Sequence, residues 1–398
     1  MNAKFSKEND MGNIIEVIEK ETSGKSFKSH KYCHDTTDRA GIDYDDNQEV
    51  IWKEYGETEK FKNPKSLELD AKKRVSAPSI FSFFLDGSRH TYKVDDISYN
   101  KNVYPVIAGQ VGVGCCERRE KLLKPALLFE RKLVIALPNK AFSGDEWHEK
   151  DKANNLLIQI NKIPRIKNQL HLDFNDLLIY STDKDESYDK KGIAKIQDYM
   201  VELEKQIVAD LVAQGRLDED NYLIKDGSLE YPKVSKNRVR NNGGLNLSDA
   251  KIANNYRYVV GVSKSFNPTK CYVEGGGSNS DIIAKLKVFE RTPAFRYTST
   301  RADVDFCIWY LRIRDARYTG SIFDGILKIE KLIITDKEKS YGIDTDEIDN
   351  ISAHILNERN PVCYGKDARW ANHLYPIYLT ESFIKSKYIS NDMFMQLF

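Results

Sequence analysis

The run Ile80-Phe81-Ser82-Phe83-Phe84-Leu85 constrains this chain more than any other segment, because it is apolar on both faces of a strand. Such a strand is stable only between two covering layers, which requires the centre of an α/β core. Asp86-Gly87-Ser88 follows at once and is expected to end it. Further strand-like runs stand at residues 103–113, 133–137, 222–225, 258–262, 306–313 and 326–329. Helical periodicity covers 193–213, 348–356 and 379–387. The alternation of strands and helices predicts an α/β fold with a mixed sheet flanked by helices, the last of them C-terminal. Residues 1–75 are polar and mixed in charge, and are expected to be an extension or interaction arm with a short helix at 14–18, ahead of one main domain over 76–398.

The tripeptide Asp-Gly-Ser recurs as Asp226-Gly227-Ser228 after the apolar run Tyr222-Leu223-Ile224. A carboxylate where an apolar strand runs out sits at the rim of a sheet, and the glycine after it lets a backbone or a phosphate come close. Adjacent strands lie about 4.8 Å apart, so Asp86 and Asp226 on neighbouring strands would suit a pair of divalent cations, spaced about 3.5–4 Å in two-metal sites. Asp-Gly is equally a common turn dipeptide, and the two copies alone leave both readings open. The preceding helix adds weight to the first. Ile193, Ile196, Met200, Leu203, Ile207, Val208 and Leu211 form one apolar face, with Glu204 near its middle and Glu202 pointing away. A carboxylate there is costly unless it binds a cation or pairs with a lysine. Asp86, Glu204 and Asp226 together make an oxygen-donor set of the kind Mg²⁺ and Mn²⁺ prefer.

Phe84-Leu85-Asp86-Gly87-Ser88, the helix with Leu203-Glu204, Leu223-Ile224-Lys225-Asp226-Gly227-Ser228-Leu229, Val260-Gly261-Val262-Ser263-Lys264 and Leu374-Tyr375-Pro376 resemble, in order and spacing, the motifs of the NurA nucleases. The resemblance spans about residues 79 to 390, and Trp309-Tyr310-Leu311-Arg312 and Ile326-Leu327-Lys328-Ile329-Glu330 look like the family's later strands. It implies a ribonuclease H-like fold, a homodimer and a Mg²⁺- or Mn²⁺-dependent deoxyribonuclease; separately, a sequence with no membrane-length apolar run and no apolar stretch of a secretion signal in residues 1–20 is expected to be cytoplasmic. The resemblance also implies work with a hexameric HerA/FtsK-type ATPase in DNA end processing, as in repair, or in antiphage defence. Carried over, Asp86, Glu204 and Asp226 are expected as metal ligands of a two-metal phosphodiester hydrolysis. The Tyr375-Pro376 motif matches the family's, but the histidine usual eight residues after that tyrosine is replaced by Phe383. Glu381 or His373 then becomes the candidate fourth ligand. The replacement also raises an alternative: a non-catalytic DNA-clamp subunit that binds and regulates the motor.

Charge composition narrows where DNA can be met. Lys+Arg 61 against Asp+Glu 60 gives a formal net charge of +1, so any contact with phosphates must be local. The segment from Lys233 to Asn242 carries Lys236, Arg238 and Arg240 without an acid, and with Lys264 it is the candidate DNA-binding stripe, although a solvated loop fits it as well. Gly109 to Gly114 lacks the Gly-Lys-Ser/Thr ending of a phosphate loop and reads as strand. His30 and His34 match no standard zinc spacing. The six scattered cysteines are expected to be free, mostly buried thiols, and no apolar run reaches the roughly 18 residues of a membrane span.

Overall fold

The apolar run at 80–85 does lie at the centre of a sheet, but its strand continues well past Asp86. The computed structural model describes residues 13–28, 31–34, 49–120, 122–142, 146–183, 186–231, 249–299, 304–361 and 368–398. The chain opens with α1 (Ile14–Thr22), the short strands β1 (Lys25–Ser26), β2 (Tyr32–Cys33), β3 (Val50–Trp52) and β4 (Lys65–Ser66), and α2 (Glu68–Arg74). Three long strands follow, β5 (Phe81–Tyr99), β6 (Asn102–Arg119) and β7 (Leu122–Pro138), then α3 (Glu146–Asn161), β8 (Phe174–Tyr180) and α4 (Tyr188–Ala213). Next come β9 (Tyr222–Asp226), α5 (Asp249–Asn255), β10 (Val259–Ser263), β11 (Cys271–Val273), α6 (Ser280–Ala284), β12 (Glu290–Arg291), β13 (Phe295–Ser299), β14 (Val304–Arg312) and β15 (Ile326–Leu332). The helices α7 (Asp336–Tyr341), α8 (Thr345–Glu358), α9 (Tyr375–Lys385) and α10 (Asn391–Met395) close it.

Among the described residues one 13-stranded mixed sheet runs in the order β4-β12-β14-β15-β10-β9-β5-β6-β7-β8, with β1, β2 and β13 pairing from the side. Its middle is β5, antiparallel to β6 and parallel to β9, while β9 is parallel to β10. Asp86 does not end β5 because the strand is held by β6 as well as β9: Asp86 still pairs with Gly114, and the ladder runs on to Tyr99 with Asn102. The parallel ladder to β9 does stop there, its last pair being Leu85 with Lys225.

Helices cover both faces. α4 packs across β5, β6, β7 and β8, burying Ile196, Met200, Ile207, Val208 and Leu211 at the spacing an apolar helical stripe requires. α9 lies over β5 and β6, and α8 packs on α2 while Ile348, Ile351 and Ile355 join Phe84, Ile224 and Val262 in one cluster. Alternation along the strands separates the two layers: Leu85 and Leu223 pack in the cluster that holds the α4 residues, Phe84 and Ile224 in that of α8 and α9.

The described parts of the first 75 residues are built into this body, which corrects the expectation of an arm beside the core. α1 starts on an Asn13–Glu16 capping box and buries Ile14 and Ile18 completely. Glu57 forms a two-bond pair with the fully buried Arg291, at 2.8 and 3.2 Å. Polarity concealed this because the contacts are an apolar stripe of a few residues and ionic pairs made across the fold. Cys33, Cys115, Cys116, Cys271 and Cys307 are buried free thiols, as expected, and Cys363 lies outside the described residues. No helix among the described residues is long and apolar enough to cross a membrane.

Candidate metal centre

The two Asp-Gly-Ser copies reach the same place by different local means. Asp226 ends β9 opposite Val262, and Gly227 turns the chain with φ 81°, a left-handed conformation that glycine adopts without steric cost. Its N–H donates to the Val262 carbonyl at 2.9 Å. Gly87 instead stays in its strand, where a Cβ would stand 2.5 Å from Glu204 Oε1, so α4 can approach β5 only because the residue has no side chain. Asp86 and Asp226 follow the last β5–β9 pair on adjacent strands, one register step further on.

Asp86 is 4% exposed, and its Oδ2 is buried without a hydrogen-bond partner. Burial first, then the neighbouring Asp226 charge, push its carboxyl well above the ordinary aspartate range, against the pull of the Lys264 ammonium. Lys264, just beyond β10, lies 2.9 Å from Asp226 Oδ2 and 3.5 Å from Glu381 Oε2. Burial alone would lower its pKa, but the carboxylates of Asp226, Asp86 and Glu381 outweigh burial and hold the ammonium above the usual lysine range. Two aspartates and Glu381 of α9 are thus gathered about one cationic side chain that is 10% exposed.

Glu204 is buried in the α4 stripe, as its azimuth predicts, but approaches from the other layer. Its Oε2 lies 2.9 Å from Lys225 Nζ, the lysine pairing weighed from sequence, although the partner comes from β9 and not from the helix edge. Burial raises its pKa while Lys225 pulls it back. The structure brings Glu381 to the Lys264 cluster; its helix opens with Tyr375 and Pro376 in the first turn, proline being at home where the N–H has no helical partner. His373 is buried, its ring 5.8 Å from that of Tyr378. Phe383 lies under the Lys387 ammonium, 4.9 Å away. Lys236, Arg238 and Arg240 lie outside the described residues.

The donor chemistry fits a hard divalent cation: two buried-edge carboxylates, one of them with an unpartnered oxygen. Among the described residues no three acidic, histidine or cysteine side chains already stand together as a metal cage. Lys264 was legible as a candidate phosphate contact but not as the partner of Asp226 and Glu381; Lys225 was legible only as a polar residue at the end of an apolar run, and Glu330, which touches the turn after Asp226, only as an acid inside the apolar segment 326–332.

No family model and no curated protein matches this chain. Among solved structures it is similar to the NurA nuclease from Sulfolobus solfataricus, with 9% sequence identity, a TM-score of 0.38, and coverage of 80% of this chain and 87% of that one.

Proposed function

We propose that this chain is a metal-dependent deoxyribonuclease of the kind its motifs resemble, built on a ribonuclease H-like core. The observation that carries the reading is Asp86 beside Asp226 at the end of the β5–β9 ladder, with Asp86 Oδ2 buried and unpartnered and Lys264 alongside. The strand order β7-β6-β5-β9-β10, antiparallel through its first three members and parallel through its last three, supports the core assignment.

Asp86 and Asp226 would hold the cation or cations, with Glu381 as the nearest further acid on that face. Bound Mg²⁺ or Mn²⁺ supplies Lewis acidity, lowering the pKa of a water and stabilising the leaving oxygen of a phosphodiester. Lys264, whose ammonium these carboxylates hold above the usual lysine range, can offset phosphate charge beside the aspartates and orient a non-bridging oxygen. Gly227, lacking a side chain, leaves room for a backbone phosphate. A homodimer and a hexameric HerA-type motor, working in end processing or defence, belong to the same proposal on the resemblance of motifs alone. Phe383 and the pairing of Lys264 with both Asp226 and Glu381 favour, as the second reading, a non-catalytic clamp on that motor.

Linear DNA incubated with the purified protein and Mn²⁺, alone and with the motor, decides between them. The nuclease reading expects degradation that Asp86→Asn and Asp226→Asn each reduce at least about 100-fold. Equal slow degradation by wild type and both variants in both settings would sink it and leave the clamp.

A further inference from the structure

The turn Asp226-Gly227-Ser228-Leu229 is gripped from two directions by buried charges. Lys225 Nζ donates to the carbonyls of Asp226 and Ser228, each at 3.1 Å, while Glu204 Oε2 lies 2.9 Å from the same ammonium. From β15, Glu330 Oε2 accepts hydrogen bonds from Ser228 Oγ and Leu229 N, both at 2.8 Å, and Lys328 Nζ stands 3.1 Å from its other oxygen. Lys225 is 6% exposed and Glu330 fully buried. Room for this arrangement exists because Gly261, which pairs with Glu330, has no side chain: a Cβ there would lie 2.7 Å from Leu229 Cγ and 3.0 Å from the Gly227 carbonyl oxygen.

Buried ion pairs are a poor source of net stability, since apolar residues of the same volume serve as well or better. What they add here is a defined position for the turn. Backbone carbonyls and N–H groups are bound on both sides of Gly227, the residue with the widest conformational choice in the segment. Replacing outer residues that fix ligands in this way typically costs about 10- to 100-fold in metal affinity or activity. We infer that Lys225 and Glu330 are positioning residues that hold the Asp226 carboxylate in place beside Asp86, with Glu204 and Lys328 as their counter-charges. The inference rests on the nuclease reading of that site.

Calorimetric titration of the full chain with Mn²⁺, alongside DNA degradation over a range of Mn²⁺ concentrations, tests it. Lys225→Met and Glu330→Ala are each expected to weaken Mn²⁺ binding about 10- to 100-fold. Their activity recovers toward wild type as Mn²⁺ is raised. Glu330→Gln, which keeps an oxygen to accept both bonds, stays within about threefold of wild type. Should Glu330→Ala fail to fold, Ser228→Ala removes one of the two bonds without touching a charge and is expected to weaken Mn²⁺ about threefold. Folded variants with wild-type Mn²⁺ affinity, beside an Asp226→Asn that loses it, overturn the positioning role and leave the nuclease reading standing. A wild type whose Mn²⁺ binding is absent, or is unchanged by Asp86→Asn and Asp226→Asn, removes the nuclease reading and this inference with it.

Discussion

At Asp86 a buried carboxylate with one unpartnered oxygen faces a second carboxylate, and the fold bears the electrostatic cost. The folded chain holds the Asp86 proton to a higher pH than the unfolded chain does, so the site destabilises the protein at neutral pH. That cost fades as pH falls through the raised folded pKa. Asp86→Asn is therefore expected to raise the melting temperature of the metal-free protein by about 1–3 °C at pH 7. The gain should shrink at acid pH and be matched by loss of the Mn²⁺-dependent rise seen in wild type. Scanning calorimetry with and without Mn²⁺ reads both, and a lower metal-free melting temperature for the variant at pH 7 would contradict it. Both aspartates were legible in the sequence because each closes an apolar run. The raised pKa of Asp86 was not, since it depends first on burial and then on how near Asp226, Lys264 and Glu381 come.

At the scale of elements, the parallel triplet β5, β9 and β10 sets the site and its glycines set the clearances. Gly261→Ala is expected to push Leu229 and the Gly227 carbonyl outward and to displace the Asp226 turn. We expect a destabilisation of about 1–3 kcal/mol with weakened Mn²⁺ binding. Chemical denaturation and Mn²⁺ titration measure the two effects, and wild-type values for both would show that the turn relaxes freely. The long helix α4 and the strands β9 and β10 were readable from periodicity and from apolar runs. The outer half of β5 was not. Its residues, from Arg89 to Ser98, are mixed in polarity and become strand because β6 pairs with them and β1 and β2 add to the edge.

Across the whole molecule, the N-terminal and C-terminal halves are joined by buried charge. Arg291, fully buried, bonds Glu57 through two nitrogens and Asp349 through Nε at 2.6 Å, linking the first 75 residues, β12 and α8. Removing one partner strands an uncompensated charge, so Arg291→Met is expected to cost about 3–5 kcal/mol. Arg291→Lys should recover little, because an ammonium cannot reproduce the forked geometry. Urea unfolding reads the effect, and a loss under about 1 kcal/mol would mean that the pair is dispensable. The near-zero net charge fits this picture: many acids and bases neutralise each other inside the fold, as Asp226 and Glu381 do with Lys264.

The sequence by itself determined that a strand apolar on both faces lies at the centre of an α/β sheet, and that two aspartates follow two apolar runs. Local periodicity and turn chemistry act over a few residues, which is why one chain suffices to read them. The tertiary structure alone decided which acid joins the aspartates, bringing Glu381 from α9, and which cation stands between them, Lys264. It also decided that Glu204 meets Lys225, and that Glu330 reaches the turn from β15. Those pairings connect residues far apart in the chain, and their energy depends on burial and distance, quantities that exist only once the sheet has formed.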